Sequence, residues 1–294
     1  MQAALVQFKP RKGDVPANLA AIRSVFTQLA TRPVDLIVFP EAALTGYFLE
    51  GAVYELAVDA PTMAAQIDAL WRAAGGTRAI DVVLGFYENA QGTFHNSALY
   101  VRCGGEGVHI VHVHRKMFLP TYGVFDEERF LTRGRRLSVF ETPFGTAAIL
   151  ICEDAWHALT STVAALKGAR LIIIPSASPG RGLGGVGELE SSVRWRAILS
   201  TIAAEHGVYV VYAGLTGFEG GKGMSGSTAA FSPRGELLAS LGPLEPGILS
   251  VELDPAEVDL ARATIPLLGD LSAVLPDLWL DDEIPVTRRL EEQT

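Results

Sequence analysis

The stretch Thr146-Ala-Ala-Ile-Leu-Ile-Cys152-Glu153-Asp154-Ala-Trp156 constrains the fold more than any other, because an apolar, β-branched run leads directly into a thiol and two acids. A run of this length, bounded by Gly145 and by polar residues, fits a buried strand, and the Ala-Trp-His-Ala-Leu that follows can open a helix. Cys152 would then lie on a strand-to-helix turn, where a side chain can be exposed while a backbone N–H points at a reacting oxygen. Taken alone, it could equally be one more small apolar core residue. Two further runs change the balance. Val34 to Phe39 ends at Pro40-Glu41, a carboxylate just after a proline that stops the strand ladder. Val108 to His114 alternates as a strand should and delivers Arg115-Lys116 just before Met-Phe-Leu-Pro120. An acid, a base and a thiol thus all fall at strand ends.

The chain can bury a substantial core at 294 residues, as one large α/β domain or two smaller ones, and 49% hydrophobic residues exclude global disorder. A formal charge of −9 disfavours nucleic acid, which needs clustered Lys and Arg. Cys103 and Cys152 are the only cysteines, too few for a disulfide framework, so a reducing compartment is expected. The apolar Ala3–Phe8 is too short for a signal peptide and runs at once into Lys9-Pro10-Arg11-Lys12, and no apolar run approaches the ~20 residues that span a bilayer. A cytoplasmic protein with no membrane partner is the expectation.

Along the chain, Asp14 and Pro16 start a helix whose apolar face carries Leu19, Ile22, Val25, Phe26 and Leu29. A second helix opens at Pro61 and ends near Gly75-Gly76. Strands over 82–87 and 97–102 flank a turn at Asn89-Ala-Gln-Gly92, and this hairpin-like spacing makes the sheet mixed rather than all parallel. His112 and His114 share one strand face, with His109 on the other. Without a third ligand of obvious spacing they read as hydrogen-bonded strand residues rather than a metal site. Beyond Trp156 come a helix to about Gly168, a buried strand over 170–175, a helix over 188–205, a strand over 208–213, and strands over 228–232, 237–241 and 248–253. The proline-bearing segment after Thr264 (Pro266, Pro276, Pro285) reads as an extended tail that must bury its apolar residues, with folding back on its own domain as one alternative.

Phe39-Pro40-Glu41, Arg115-Lys116 with Leu119-Pro120, and Ile151-Cys152-Glu153-Asp154 resemble the three signature segments of the nitrilase, or carbon-nitrogen hydrolase, superfamily. Leu119-Pro-Thr-Tyr-Gly-Val-Phe-Asp-Glu127 and Cys152–Trp156 resemble most the glutaminase domain of glutamine-dependent NAD synthetase. The resemblance runs to about Asp254. It implies an α/β fold, a four-layer α-β-β-α sandwich of two mixed sheets, with residues 1–263 as the hydrolase domain and 264–294 as an extension at the interface of a homodimer or higher homo-oligomer. It implies no cofactor and no metal. Glu127 takes the position of the superfamily's second glutamate, with Glu128 its adjacent rival. The loop from Ala42 to Tyr47 resembles the segment near the substrate. By the same resemblance Tyr122 and Phe125 surround the substrate, Glu153 meets its amino group, and the loop with Ser178 meets its carboxylate, which Arg181 could also serve. His206 and Gly214 stand where the family often has asparagine, which puts the polar lining of the pocket in question.

These residues permit amide hydrolysis: Cys152 as nucleophile, Glu41 as base, Lys116 with the Glu153 N–H for the oxyanion, and Glu127 fixing Lys116 and the substrate nitrogen. An acid after the cysteine favours small-molecule amides over nitriles. No Ser-Gly-Gly-x-Asp pyrophosphatase motif occurs, so a stand-alone amidase releasing ammonia is expected ahead of a glutaminase subunit feeding a separate synthetase. A non-catalytic scaffold of the same fold is a further alternative. Gly180-Arg-Gly182-Leu-Gly-Gly185 also spells G-x-G-x-x-G, the signature of a dinucleotide-binding oxidoreductase. Against it, Pro175–Pro179 separates the strand from the first glycine, and Glu205, the acid at the expected distance, falls within a helix.

Overall fold

The computed structural model describes residues 1–182 and 189–279. The chain runs β1 (Gln2–Gln7), α1 (Val15–Leu29), β2 (Leu36–Val38), α2 (Val53–Leu56), α3 (Ala60–Ala73), β3 (Ile80–Ala90), β4 (Thr93–Cys103) and β5 (His109–Arg115). A second series follows: β6 (Val139–Thr142), β7 (Gly145–Ile149), α4 (Ala158–Leu166), β8 (Leu171–Ser176), α5 (Glu190–His206) and β9 (Tyr209–Gly214). The hairpin β10 (Thr216–Glu219) and β11 (Lys222–Ser225) comes next, then β12 (Ala229–Phe231), β13 (Leu237–Ser240), β14 (Gly247–Glu252), α6 (Pro255–Thr264) and α7 (Leu267–Trp279).

Side-chain alternation sets the layers. Ala3 and Leu5 of β1, with Leu36, Val38 and Val83, face the inner core shared with Ile149, Ile172 and Val211. Ala4, Val6, Ile37, Val82 and Leu84 point the other way, onto Ile22 and Phe26 of α1 and Met63, Ile67 and Trp71 of α3. One sheet therefore has the order β14-β1-β2-β3-β4-β5 and the other β13-β12-β9-β8-β7-β6. Each is parallel at its centre (β1-β2-β3 and β7-β8-β9) and antiparallel at its edges, so both are mixed. The α-β-β-α sandwich expected from the sequence is the observed fold.

Local chemistry starts and stops the elements. Asp14 caps α1 by accepting from the Ala17 N–H at 3.1 Å, and Asp59 caps α3 by accepting from Thr62 at 2.8 Å. Gln91 and Gly92, both at positive φ, close the β3–β4 hairpin, which is longer at both ends than the sequence suggested. The segment after Thr264 forms the helix α7 where an extended tail was expected, and it packs against α4, α5 and α6 of its own chain, the fold-back alternative. Pro266 stands just before that helix, where a missing N–H costs nothing, and its carbonyl accepts the Asp270 N–H at 3.0 Å. Pro276 is tolerated inside it. Pro285 lies outside the described residues. Among the described residues no helix is long and apolar enough to cross a membrane.

Candidate active site

Glu41, Lys116 and Cys152 each follow the C-terminal end of a strand, β2, β5 and β7 respectively, and the two packed sheets bring these ends to one place. In α/β sheets such strand mouths are where ligands bind. Glu41 and Lys116 are both fully buried. The Lys116 Nζ donates to Glu41 Oε1 at 2.7 Å and to Glu127 Oε1 at 2.9 Å. Glu128, the rival of Glu127, is exposed. The Tyr47 ring lies 5.5 Å from the Lys116 ammonium, within cation–π range.

Three supports of this cluster escaped the sequence reading. Asn96 Nδ2 donates to Glu41 Oε1 at 2.7 Å and to Glu127 Oε1 at 3.0 Å, and the Ala177 N–H donates to Glu41 Oε2 at 2.7 Å. A signal for Asn96 existed: His95-Asn96-Ser97 is a polar triplet inside a strand where all three residues are buried, and buried polar groups demand partners. Nothing in the sequence could reveal a backbone donor such as Ala177. Gly85 of β3 is the third support. A Cβ there would fall 2.5 Å from the Glu41 Cα and from the Pro40 carbonyl oxygen, so only glycine lets the segment bearing Glu41 settle on the sheet.

Cys152 opens a short 3-10 turn, Cys152–Trp156, with its own φ at +45°. For a residue with a Cβ such backbone costs about 1–3 kcal/mol, which the surrounding structure must overdetermine. The elbow leaves the residue 7% exposed, on a cavity of about 320 Å³. Tyr122, Phe125, Glu153, Ser178 and Arg181, all expected around a substrate, line that cavity. Trp156, Glu190 and Arg194 join them. Tyr47 instead lines an adjacent cavity of about 260 Å³ together with Phe125 and Glu127. The Tyr122 hydroxyl lies 3.0 Å from both Glu153 carboxylate oxygens, and the Arg181 guanidinium packs 5.3 Å from the Phe125 ring.

The electrostatics are those of a dry, crowded site. Burial alone would discharge Lys116, but the Glu127 and Glu41 carboxylates outweigh it and hold the ammonium charged. Burial pushes Glu127 up to about 7, with Lys116 opposing and Glu41 adding to the push. The Cys152 thiol is pushed well up by burial and then by Glu41, with Lys116 and the Ser176 hydroxyl pulling the other way. The resting sulfur is therefore a thiol, not a preformed thiolate.

Several expectations change here. His206 is buried at the end of α5 beside Ser161 and Thr162 of α4, so its replacement of asparagine does not touch the cavity lining. A Cβ on Gly214 would come within 2.0 Å of the Gly226 carbonyl oxygen, so backbone approach dictates that glycine. Leu183, Gly184 and Gly185 of the G-x-G-x-x-G pattern lie outside the described residues. On its near side the Gly180 N–H donates to the Gly223 carbonyl within β11 at 2.8 Å, and α5 begins only at Glu190. His112 stacks on Phe140 and His114 meets Asp154. Among the described residues no three His, Cys, Asp or Glu side chains group as a metal site.

Residues 2–263 match the sequence profile of the carbon-nitrogen hydrolase family. The chain belongs to the carbon-nitrogen hydrolase family. Among curated relatives of this hydrolase, the glutamine-dependent NAD(+) synthetase of Thermotoga maritima is 29% identical over 258 residues, 86% of this chain and 42% of that protein. The chain thus spans about two-fifths of the length of that relative. Among solved structures, the carbon-nitrogen hydrolase from Helicobacter pylori G27 shares the fold at a TM-score of 0.81, with 24% identity and coverage of 97% of this chain and 99% of that one. The amidase from Nesterenkonia sp. AN1 superposes at 0.76 with 25% identity, covering 95% and 97%. That structure is of a glutamate-to-glutamine mutant of the amidase, with the acetamide moiety of fluoroacetamide added covalently at its active-site cysteine.

Proposed function

We propose that this hydrolase cleaves a small-molecule amide through a thioester on Cys152. The observation that carries the reading is the buried Glu41–Lys116–Glu127 cluster, with Lys116 Nζ at 2.7 and 2.9 Å from the two carboxylates, acting on a thiol that opens onto a cavity. Glu41 takes the thiol proton as sulfur attacks the carbonyl carbon. Lys116 has three N–H donors and spends two on carboxylates, so the third, with the Glu153 N–H, can hold the developing oxyanion. As the C–N bond breaks, Glu41 returns the proton to the departing nitrogen. It then draws one from the water that attacks the thioester, and the thiol is regenerated. Glu127 Oε2, buried without a partner among the described residues, is free to accept from the substrate N–H.

The cavity carries charges of both signs, Glu153 and Glu190 with Arg181 and Arg194, which supports a substrate bearing an ammonium and a carboxylate. The NAD synthetase relative favours a second reading, a glutaminase that supplies ammonia to a separate synthetase chain. Ammonia release from a panel of glutamine, asparagine and simple aliphatic amides tests both. Turnover of the amino-acid amides at least ~10-fold above the aliphatic ones is expected, since hydrogen bonds to charged groups are worth about 1.5–3 kcal/mol. No ammonia from any member would count against the hydrolase.

Alkylation separates catalysis from a scaffold role. Burial raises both thiols, but Cys103 is fully buried whereas Cys152 opens onto the cavity with Glu41 as a base. Iodoacetamide is expected to modify Cys152 far faster than Cys103, read by peptide mass spectrometry. Equal rates would favour a non-catalytic scaffold.

A further inference from the structure

Asp154 is fully buried, two residues beyond Cys152, and has no part in the chemistry proposed above. Its carboxylate has room for four donors, two per oxygen, and all four places are taken. Oδ1 accepts the Met117 N–H at 2.9 Å and the Phe118 N–H at 3.0 Å. Oδ2 accepts the Ile151 N–H at 3.0 Å and pairs with His114 Nε2 at 2.9 Å. His114 is itself 1% exposed.

The sequence positions of these partners matter most. His114, Met117 and Phe118 bracket Lys116 on both sides, while Ile151 and Asp154 bracket Cys152. One carboxylate therefore clasps the segment carrying the ammonium to the elbow carrying the thiol, two pieces of chain that belong to different sheets. The backbone N–H groups anchor the far side of Lys116. Among the groups that meet Asp154, His114 is the one from the near side of Lys116, next to last in β5, where pairing with β4 and the Arg115–Glu88 ion pair also hold the strand.

We propose that Asp154, with His114 as its side-chain donor, is the positioning residue that sets Lys116 against Cys152. The inference rests on the hydrolase reading for its rate consequences, but the clasp also governs thiol reactivity, which is measurable whether or not the right amide is in hand. Misplacing a reacting group by about 1 Å costs on the order of 10²-fold in rate.

Three variants test it. His114→Leu removes the near anchor and keeps the bulk, His114→Gln retains a donor that can reach Oδ2, and Asp154→Asn turns one oxygen into a donor that must face another N–H. In His114→Leu, kcat and the iodoacetamide rate at Cys152 should both fall by ~10-fold or more, with KM changed much less. His114→Gln should recover most of both losses, and Asp154→Asn should lose ~100-fold if it folds. The thermal midpoint is followed in each. Equal losses in His114→Leu and His114→Gln, or a lowered midpoint with unchanged thiol alkylation, would overturn the positioning role and leave a merely structural one. If the parent enzyme turns over no amide tested while alkylation still follows the pattern, the clasp stands and the hydrolase reading falls.

Discussion

Cys152→Ala is expected to reduce amide hydrolysis to background, a loss on the order of 10⁶-fold by analogy with nucleophile removal in a serine hydrolase. Glu41 and Glu127 each accept from Lys116 and serve as its counter-charges, so neither replaces the sulfur as nucleophile. The variant should remain folded. The side chain removed is small and partly faces the cavity, and alanine tolerates the +45° φ no worse than cysteine does. Substrate binding should therefore survive while an acyl adduct, detectable by rapid quench and intact mass, disappears. Residual turnover within ~100-fold of the parent would mean that the sulfur is not the nucleophile.

Glu41→Gln is expected to lower turnover by ~10²- to 10⁴-fold, the usual worth of a positioned acid-base group. Two effects combine. The amide cannot take the proton of a thiol that burial pushes well up, so the attacking species forms more slowly. The substitution also disturbs an acceptor of three hydrogen bonds, since the carboxylate receives Lys116 and Asn96 on one oxygen and the Ala177 N–H on the other, which leaves one place for the thiol proton. A glutamine must turn its NH₂ toward one of these donors. A quench experiment should find little acyl-enzyme, because the first half-reaction stalls. Accumulation of a stable acyl adduct would confine Glu41 to hydrolysis of the thioester, and turnover near the parent level would remove it from the proton path.

The fold and the central cluster were legible because both are written in short, strongly patterned segments. Apolar runs ending in Glu41, Lys116 and Cys152 specify buried strands and their mouths, while Glu127 was marked only by the resemblance to the superfamily, which left Glu128 as its rival. Less visible were the contacts that depend on where separate strands come to rest. Asn96 reaches both carboxylates only because β4 lies beside the ends of β3 and β5, and the Ala177 donor is backbone, carrying no residue-type signal at all. The tail was misjudged because prolines were weighed as breakers, whereas Pro266 opens α7 and Pro276 is absorbed within it. His206 drew attention because it stands where the family often has asparagine, yet the helix it ends carries it away toward α4.

Glu41, Asn96 and Lys116 hang from one sheet, while Cys152 and the Ala177 amide hang from the other. Neither half of the sandwich owns the reaction, and the seam between them holds it. The apolar side chains along that seam, such as Leu5, Val83, Ile149 and Ile172, therefore work as the alignment bed of a two-part tool, fixing the offset at which base and sulfur meet.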